Sequence, residues 1–151
     1  MLKRILIAGL AVIVALVGLG AFLYARNATP TVPPIATADA VAAGAPWVLK
    51  LHAQWCPICM LTKRMWSEIE ETYAGRVRLA VFDFTDEATT AASRAEAERL
   101  GLASVFEEAR FTTGSILVID GETKEILTWI NGSREFADYQ AAIDAALAAA
   151  P

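Results

Sequence analysis

The chain has 151 residues, 56% of them hydrophobic and 20% charged, with a formal net charge of −4; this length accommodates one modest domain and short additions. From Asp39 onward ten basic residues stand against all 17 acidic ones, a net charge of −7, which argues against nucleic acid or anionic lipid as a partner of that part. Two cysteines and one histidine are too few to supply a four-ligand zinc site within one chain.

Residues 5–24 read ILIAGLAVIVALVGLGAFLY, without a charge, long enough to cross about 30 Å of hydrocarbon as a helix. Met1, Lys3 and Arg4 precede it, which places the short N-terminal tip in the cytoplasm and the remainder outside. The run exceeds the usual core of a signal peptide, and Tyr24-Ala25-Arg26-Asn27-Ala28 is a poor cleavage site. Residues 1–26 are therefore expected to be an uncleaved single-pass anchor in the inner (cytoplasmic) membrane. The soluble part would face the periplasm or the cell exterior. Residues 27–46 carry four of the six prolines, at 30, 33, 34 and 46, and read as a semi-extended tether. The expected folded domain is 47–151.

Within it, Trp47–His52 (WVLKLH) reads as a strand. After Pro57, residues Cys59, Thr62, Trp66, Ile69 and Tyr73 recur at helical spacing, and Gly75 ends the helix. Val77–Phe84 is a second strand, 87–100 a helix closed by Gly101, and 103–109 a short helical turn. Ser115–Asp120 is a buried-type strand that turns through Gly121-Glu122 into Lys124–Ile130. Arg134–Ala149 is a last helix with Phe136, Tyr139, Ile143 and Leu147 on one side. Trp66, Trp129 and the phenylalanines are expected in the core. The order β-α-β-α-β-β-α implies an α/β fold: one mixed four-stranded sheet flanked by helices, with parallel crossovers and a closing antiparallel hairpin.

Trp55-Cys56-Pro57-Ile58-Cys59 falls where the first strand hands over to a helix. Pro57 suits the first helical position. Cys56 then lies at the helix N-terminus, where unpaired N–H groups and the helix dipole favour a thiolate, the species that attacks disulfides. Cys59 follows by one turn on the same face, within reach of a small disulfide. This pattern points to thiol–disulfide exchange with protein thiols and disulfides: Cys56 attacks from the exposed end, and Cys59 resolves from the core side. A permanent staple is the bland alternative, but so short a loop constrains the unfolded chain little. No cofactor beyond the redox-active pair and no bound metal is expected. Trp55 is expected to form a substrate platform, and Ile58 to set the polarity between the cysteines.

From Trp47 onward the chain resembles thioredoxin-fold domains. It is similar in particular to the periplasmic thioredoxin-like domain of bacterial transmembrane thiol–disulfide interchange proteins and to the membrane-anchored thioredoxin-like proteins of cytochrome c maturation. The stretches carrying the likeness are 51–59 (LHAQWCPIC), 83–86 (DFTD), 116–122 (ILVIDGE) and Asn131-Gly132. The resemblance implies a redox carrier with protein partners, here taken as a reductant and fed by a membrane electron donor. It also implies a groove formed by Trp55, Pro57, Ile58, Thr112 and Thr113. Two departures stand out. Thr113 occupies the slot where the family carries a cis-proline; a cis bond without proline costs about 3–4 kcal/mol, so Thr113 is expected to be trans. Lys50 occupies the slot of a buried aspartate that helps deprotonate the resolving cysteine. Lys50, His52 and Asp83 are accordingly candidate tuning residues, with Lys50 expected to pair with Asp83 across the strands. The alternative from a different class is a Cu(I)-handling or docking module that uses the cysteine pair without turnover, soft Cu(I) being suited to two thiolates.

Overall fold

The computed structural model describes residues 41–150. The expected membrane anchor and most of the expected tether lie outside the described residues, and none of the described helices is long and apolar enough to cross a membrane.

The elements run β1 (Trp47–His52), α1 (Pro57–Leu61), α2 (Lys63–Tyr73), β2 (Arg78–Asp83), α3 (Glu87–Leu100), α4 (Ala103–Ala109), β3 (Ser115–Ile119), β4 (Ile126–Asn131) and α5 (Phe136–Ala149). The strands form one sheet in the order β2-β1-β3-β4. β1 pairs parallel with β2 and antiparallel with β3, and β3 pairs antiparallel with β4. The parallel pair is joined through α1 and α2, as a crossover requires.

Alternation along the central strands divides the apolar side chains between two faces. Trp47, Leu49, Leu51, Leu117 and Ile119 pack with Phe82, Phe84, Phe106 and the apolar sides of α3 and α4. Val48, Ile116 and Val118 pack with Trp66, Ile69, Tyr73, Tyr139 and Ile143 of α2 and α5. Burying each Leu, Ile or Phe contributes about 1.5–3 kcal/mol, which makes this two-sided sheet the framework of the domain. Buried tyrosines add polar ties. The Tyr73 hydroxyl donates to Asp144 at 2.9 Å and that of Tyr139 to the Ser133 carbonyl at 2.8 Å.

Five differences separate the structure from the sequence reading. The single helix expected after Pro57 is divided at Thr62, whose φ of −87° and ψ of 0° interrupt it. Its hydroxyl donates back to the Ile58 carbonyl at 3.0 Å, a bond that bends helices. Residues 41–46 do not behave as tether: Val41, Ala45 and Pro46 are buried, and a Cβ on Gly121 would lie 2.0 Å from the Gly44 carbonyl oxygen. The turn at Gly121 must therefore be glycine for the segment to lie against it. Trp129 is not core: β4 is an edge strand with alternating burial, and Trp129 is on its open side. Phe111 is not core either, being 81% exposed in the loop between α4 and β3. The hairpin is also irregular, with a register shift between Val118 and Ile119.

Candidate functional site

β1 ends at His52, and residues 53–56 turn the chain into α1. Cys56 is the N-cap of α1, in extended conformation (φ −86°, ψ 112°), and Pro57 opens the helix. This geometry points the Cys59 amide at the Cys56 sulfur, 3.2 Å away. The Cys59 thiol sits one turn on, between two acceptors: the Cys56 sulfur and the Leu51 carbonyl at 3.6 Å.

The two thiols are electrostatically unequal. Burial works to raise the pKa of Cys56. Hydrogen bonds from the Cys59 thiol, the Thr113 side chain and the amides of Cys59 and Ile58 outweigh it, and the net direction is down. Cys59 is pushed up to about 11, by burial first and then by its donation to Cys56. Each sulfur thereby reinforces the other's state: a thiolate at Cys56 keeps the Cys59 proton in place. Contrary to the expectation of an exposed attacking sulfur, Cys56 is only 4% exposed and Cys59 1%. The cause is the loop before β3, which lies over Cys56. The Gly114 amide donates to the Leu51 carbonyl at 2.9 Å, and a Cβ on Gly114 would lie 3.3 Å from the Cys56 sulfur.

Thr113 stands in that loop as expected, and no cis peptide bond occurs among the described residues. Thr112 is directed elsewhere, its amide and hydroxyl donating to the Ala109 carbonyl at 3.0 and 2.7 Å. It closes α4 and is not among the residues lining the cleft beyond Thr113. Ile58 sits between two glycines: added Cβ atoms on Gly114 and Gly132 would approach its Cγ2 to 2.8 and 2.9 Å. Both glycines also have positive φ, +91° and +68°, so each is required twice over. Trp55 is 64% exposed yet fixed, its indole N–H donating to the Thr85 carbonyl at 3.0 Å.

Lys50 is buried on the α2 face of β1, its ammonium 5.7 Å from the centre of the Trp66 ring. Burial lowers its pKa against the opposing pull of Cys59 and Glu70. The expected pair with Asp83 does not form. Lys50 is in register with Val81, and Asp83 with His52; the Asp83 carboxylate instead accepts from the amide and hydroxyl of Thr85 at 2.8 and 2.5 Å. His52, half-buried beside Asp83, is shifted down by burial.

Beyond Thr113 a cleft of about 300 Å³ opens, lined also by Trp55, Phe84, Thr90, Arg94, Arg110 and Phe111. Of these, sequence reasoning found only Trp55 and Thr113. Arg110 and Phe111 adjoin the threonines, and Thr90 and Arg94 lie one turn apart on α3, a spacing that exposes both on one face. No group of three or more His, Cys, Asp or Glu side chains converges as a metal site among the described residues.

A cysteine pair opening the helix after a central strand, in a sheet ordered β2-β1-β3-β4 with a parallel first pair and an antiparallel second hairpin, decides the architecture. The fold is thioredoxin-like. No protein-family model matches the chain, and no curated protein does. Among solved structures it is similar to Trxlp from Edwardsiella tarda EIB202 (19% identity, 73% of this chain and 92% of that one, TM-score 0.45). It is also similar to thioredoxin f from spinach chloroplast (21% identity, 78% and 87%, TM-score 0.44). A third is a thioredoxin-like protein in its oxidized form (14% identity, 72% and 81%, TM-score 0.49). The thioredoxin-like assignment rests on the sheet order and crossover of this chain.

Proposed function

We propose that this chain is an extracytoplasmic thiol–disulfide oxidoreductase that reduces disulfides of protein partners through Cys56 and Cys59. In this reading residues 5–24 hold it in the inner membrane, its domain faces the periplasm or cell exterior, and a membrane dithiol donor re-reduces it. The observation that carries the chemistry is the inequality of the two thiols: Cys56 is lowered by donors converging on its sulfur, and Cys59 is raised.

The Cys56 thiolate attacks one sulfur of the partner's disulfide; that S–S bond breaks, a mixed disulfide forms, and the partner's other sulfur leaves as a thiolate and takes a proton. Cys56 is then no longer an anion, which removes the charge that held the Cys59 proton. Cys59 loses that proton, attacks the Cys56 sulfur and expels the partner's remaining thiolate. Two electrons have passed to the partner, whose two sulfurs take their protons from Cys59 and from solvent, and a Cys56–Cys59 disulfide remains. The buried Lys50, whose charge favours a Cys59 thiolate, assists this second step.

Equilibrating the full chain in dithiol or glutathione buffers of known potential, with thiol alkylation and mass as readout, tests the reading. A potential near about −270 mV supports a reductant, and one near about −120 mV overturns the direction. Failure to form the 56–59 disulfide overturns exchange altogether, and tight Cu(I) binding by such a chain would then establish the metal-handling alternative.

A further inference from the structure

The cleft beyond Thr113 runs from the Cys56 side of the molecule to two arginines. Trp55, Phe84 and Phe111 give it apolar walls, and Arg94 and Arg110 give it its only charged lining. Both guanidinium groups ion-pair with one carboxylate, Glu107, so the cluster carries two cations against one anion. Each is also held against an aromatic ring, Arg94 4.9 Å from the centre of Phe106 and Arg110 4.5 Å from that of Phe111. A guanidinium over a ring face keeps N–H donors free for a carboxylate. Glu87, earlier on α3, is exposed and does not line the cleft. In a domain with a net charge of −7 beyond Asp39, this is a local reversal of sign in a cleft that reaches Thr113.

Ile58, Met60 and Leu61, on the helix that Cys56 caps, are also exposed. Apolar surface thus lies both in the cleft and on α1, more than a small disulfide covers, and suits an extended chain. A cleft of about 300 Å³ holds roughly two side chains. We infer that the cleft is a specificity subsite for an extended protein segment bearing an aspartate or glutamate within a few residues of its disulfide cysteine, the carboxylate docking on Arg94 and Arg110. This rests on the exchange reading above and names the substrate class for it.

The test uses the full chain, reduced, and three synthetic peptide disulfides that differ only in Glu, Gln or Lys two residues from the cysteine. The expected second-order rate of exchange is about fivefold higher for Glu than for Gln, the scale of a partly exposed charge pair, and lowest for Lys. The Arg94→Gln/Arg110→Gln variant should abolish the Glu-over-Lys ratio. Arg94→Lys/Arg110→Lys should keep part of it. Glu107→Gln, which frees both cations, should enlarge it; a misfolded protein would not give these opposite changes. Equal rates for the three peptides, or a ratio that survives loss of both arginines, overturns the subsite while leaving exchange intact. Faster, arginine-dependent exchange with glutathione disulfide than with the Glu peptide overturns the protein segment as occupant. No exchange with any disulfide overturns the underlying reading, and the subsite with it.

Discussion

The side chain of Thr113 hydrogen-bonds the sulfur of Cys56. One loop residue, 57 positions away in sequence, therefore helps set the charge of the Cys56 sulfur and also lines the adjoining cleft. Replacing Thr113 by valine keeps the shape and deletes the donor. A hydrogen bond to a charged group contributes about 1.5–3 kcal/mol, so the pH midpoint of Cys56 alkylation should rise by about 1–2 units. Thr113→Ser should restore it. The pH dependence of iodoacetamide labelling measures both.

Cys56 should be alkylated with a midpoint below the ordinary thiol value, and Cys59 should stay unreactive until the pH nears about 11. The signs for stability follow from linkage. The depressed thiol of Cys56 stabilises the fold above its unfolded pKa, and this is lost as pH falls through its folded value. The raised thiol of Cys59 stabilises the fold below its unfolded pKa, and this is lost as pH rises through about 11. Alkylation followed residue by residue by mass, together with urea midpoints across alkaline pH, tests both halves.

Gly114→Ala combines an unfavourable positive φ with a contact to Ile58 shorter than Cβ atoms tolerate. The expected loss is about 1–3 kcal/mol. Adding Ile58→Ala should recover only the share of the clash due to Cγ2, because the Ile58 Cβ also lies 2.9 Å from the added methyl, and should leave the backbone part. Equilibrium urea denaturation of the single and double variants separates the two, since the coupling energy belongs to the contact.

Lys50→Met should leave the fold as stable or more stable, because a buried ammonium costs solvation that one ring contact only partly offsets. The variant should also resolve mixed disulfides more slowly, having lost the charge that favours a Cys59 thiolate. In the parent protein the depressed lysine makes stability rise with pH as it discharges, the sign opposite to that of Cys59. Quenched-flow release of a trapped mixed disulfide, compared with urea midpoints, distinguishes an electrostatic effect from a structural one.

The strand Trp47–His52 and the helix Glu87–Leu100 were legible to the residue because their limits are written locally. An apolar run follows Pro46, and α3 lies between the Asp86 capping box and the left-handed Gly101. Trp129 was misread because an edge strand and a central strand share the same alternating pattern, and only sheet order tells which face is covered. Lys50 and Asp83 looked like partners from strand placement alone, but a parallel register two residues off gave Asp83 to His52 and left Lys50 against Trp66. Arg94, Arg110 and the glycine pair around Ile58 converge from three distant segments, and nothing in their local sequence announces that convergence.

The Leu51 carbonyl receives both the Gly114 amide and the Cys59 thiol. Forming the Cys56–Cys59 disulfide would remove the thiol hydrogen and leave the amide of Gly114 in place on that oxygen. Oxidation of the pair would therefore remove one of two hydrogen bonds on the carbonyl that anchors the Gly114 loop.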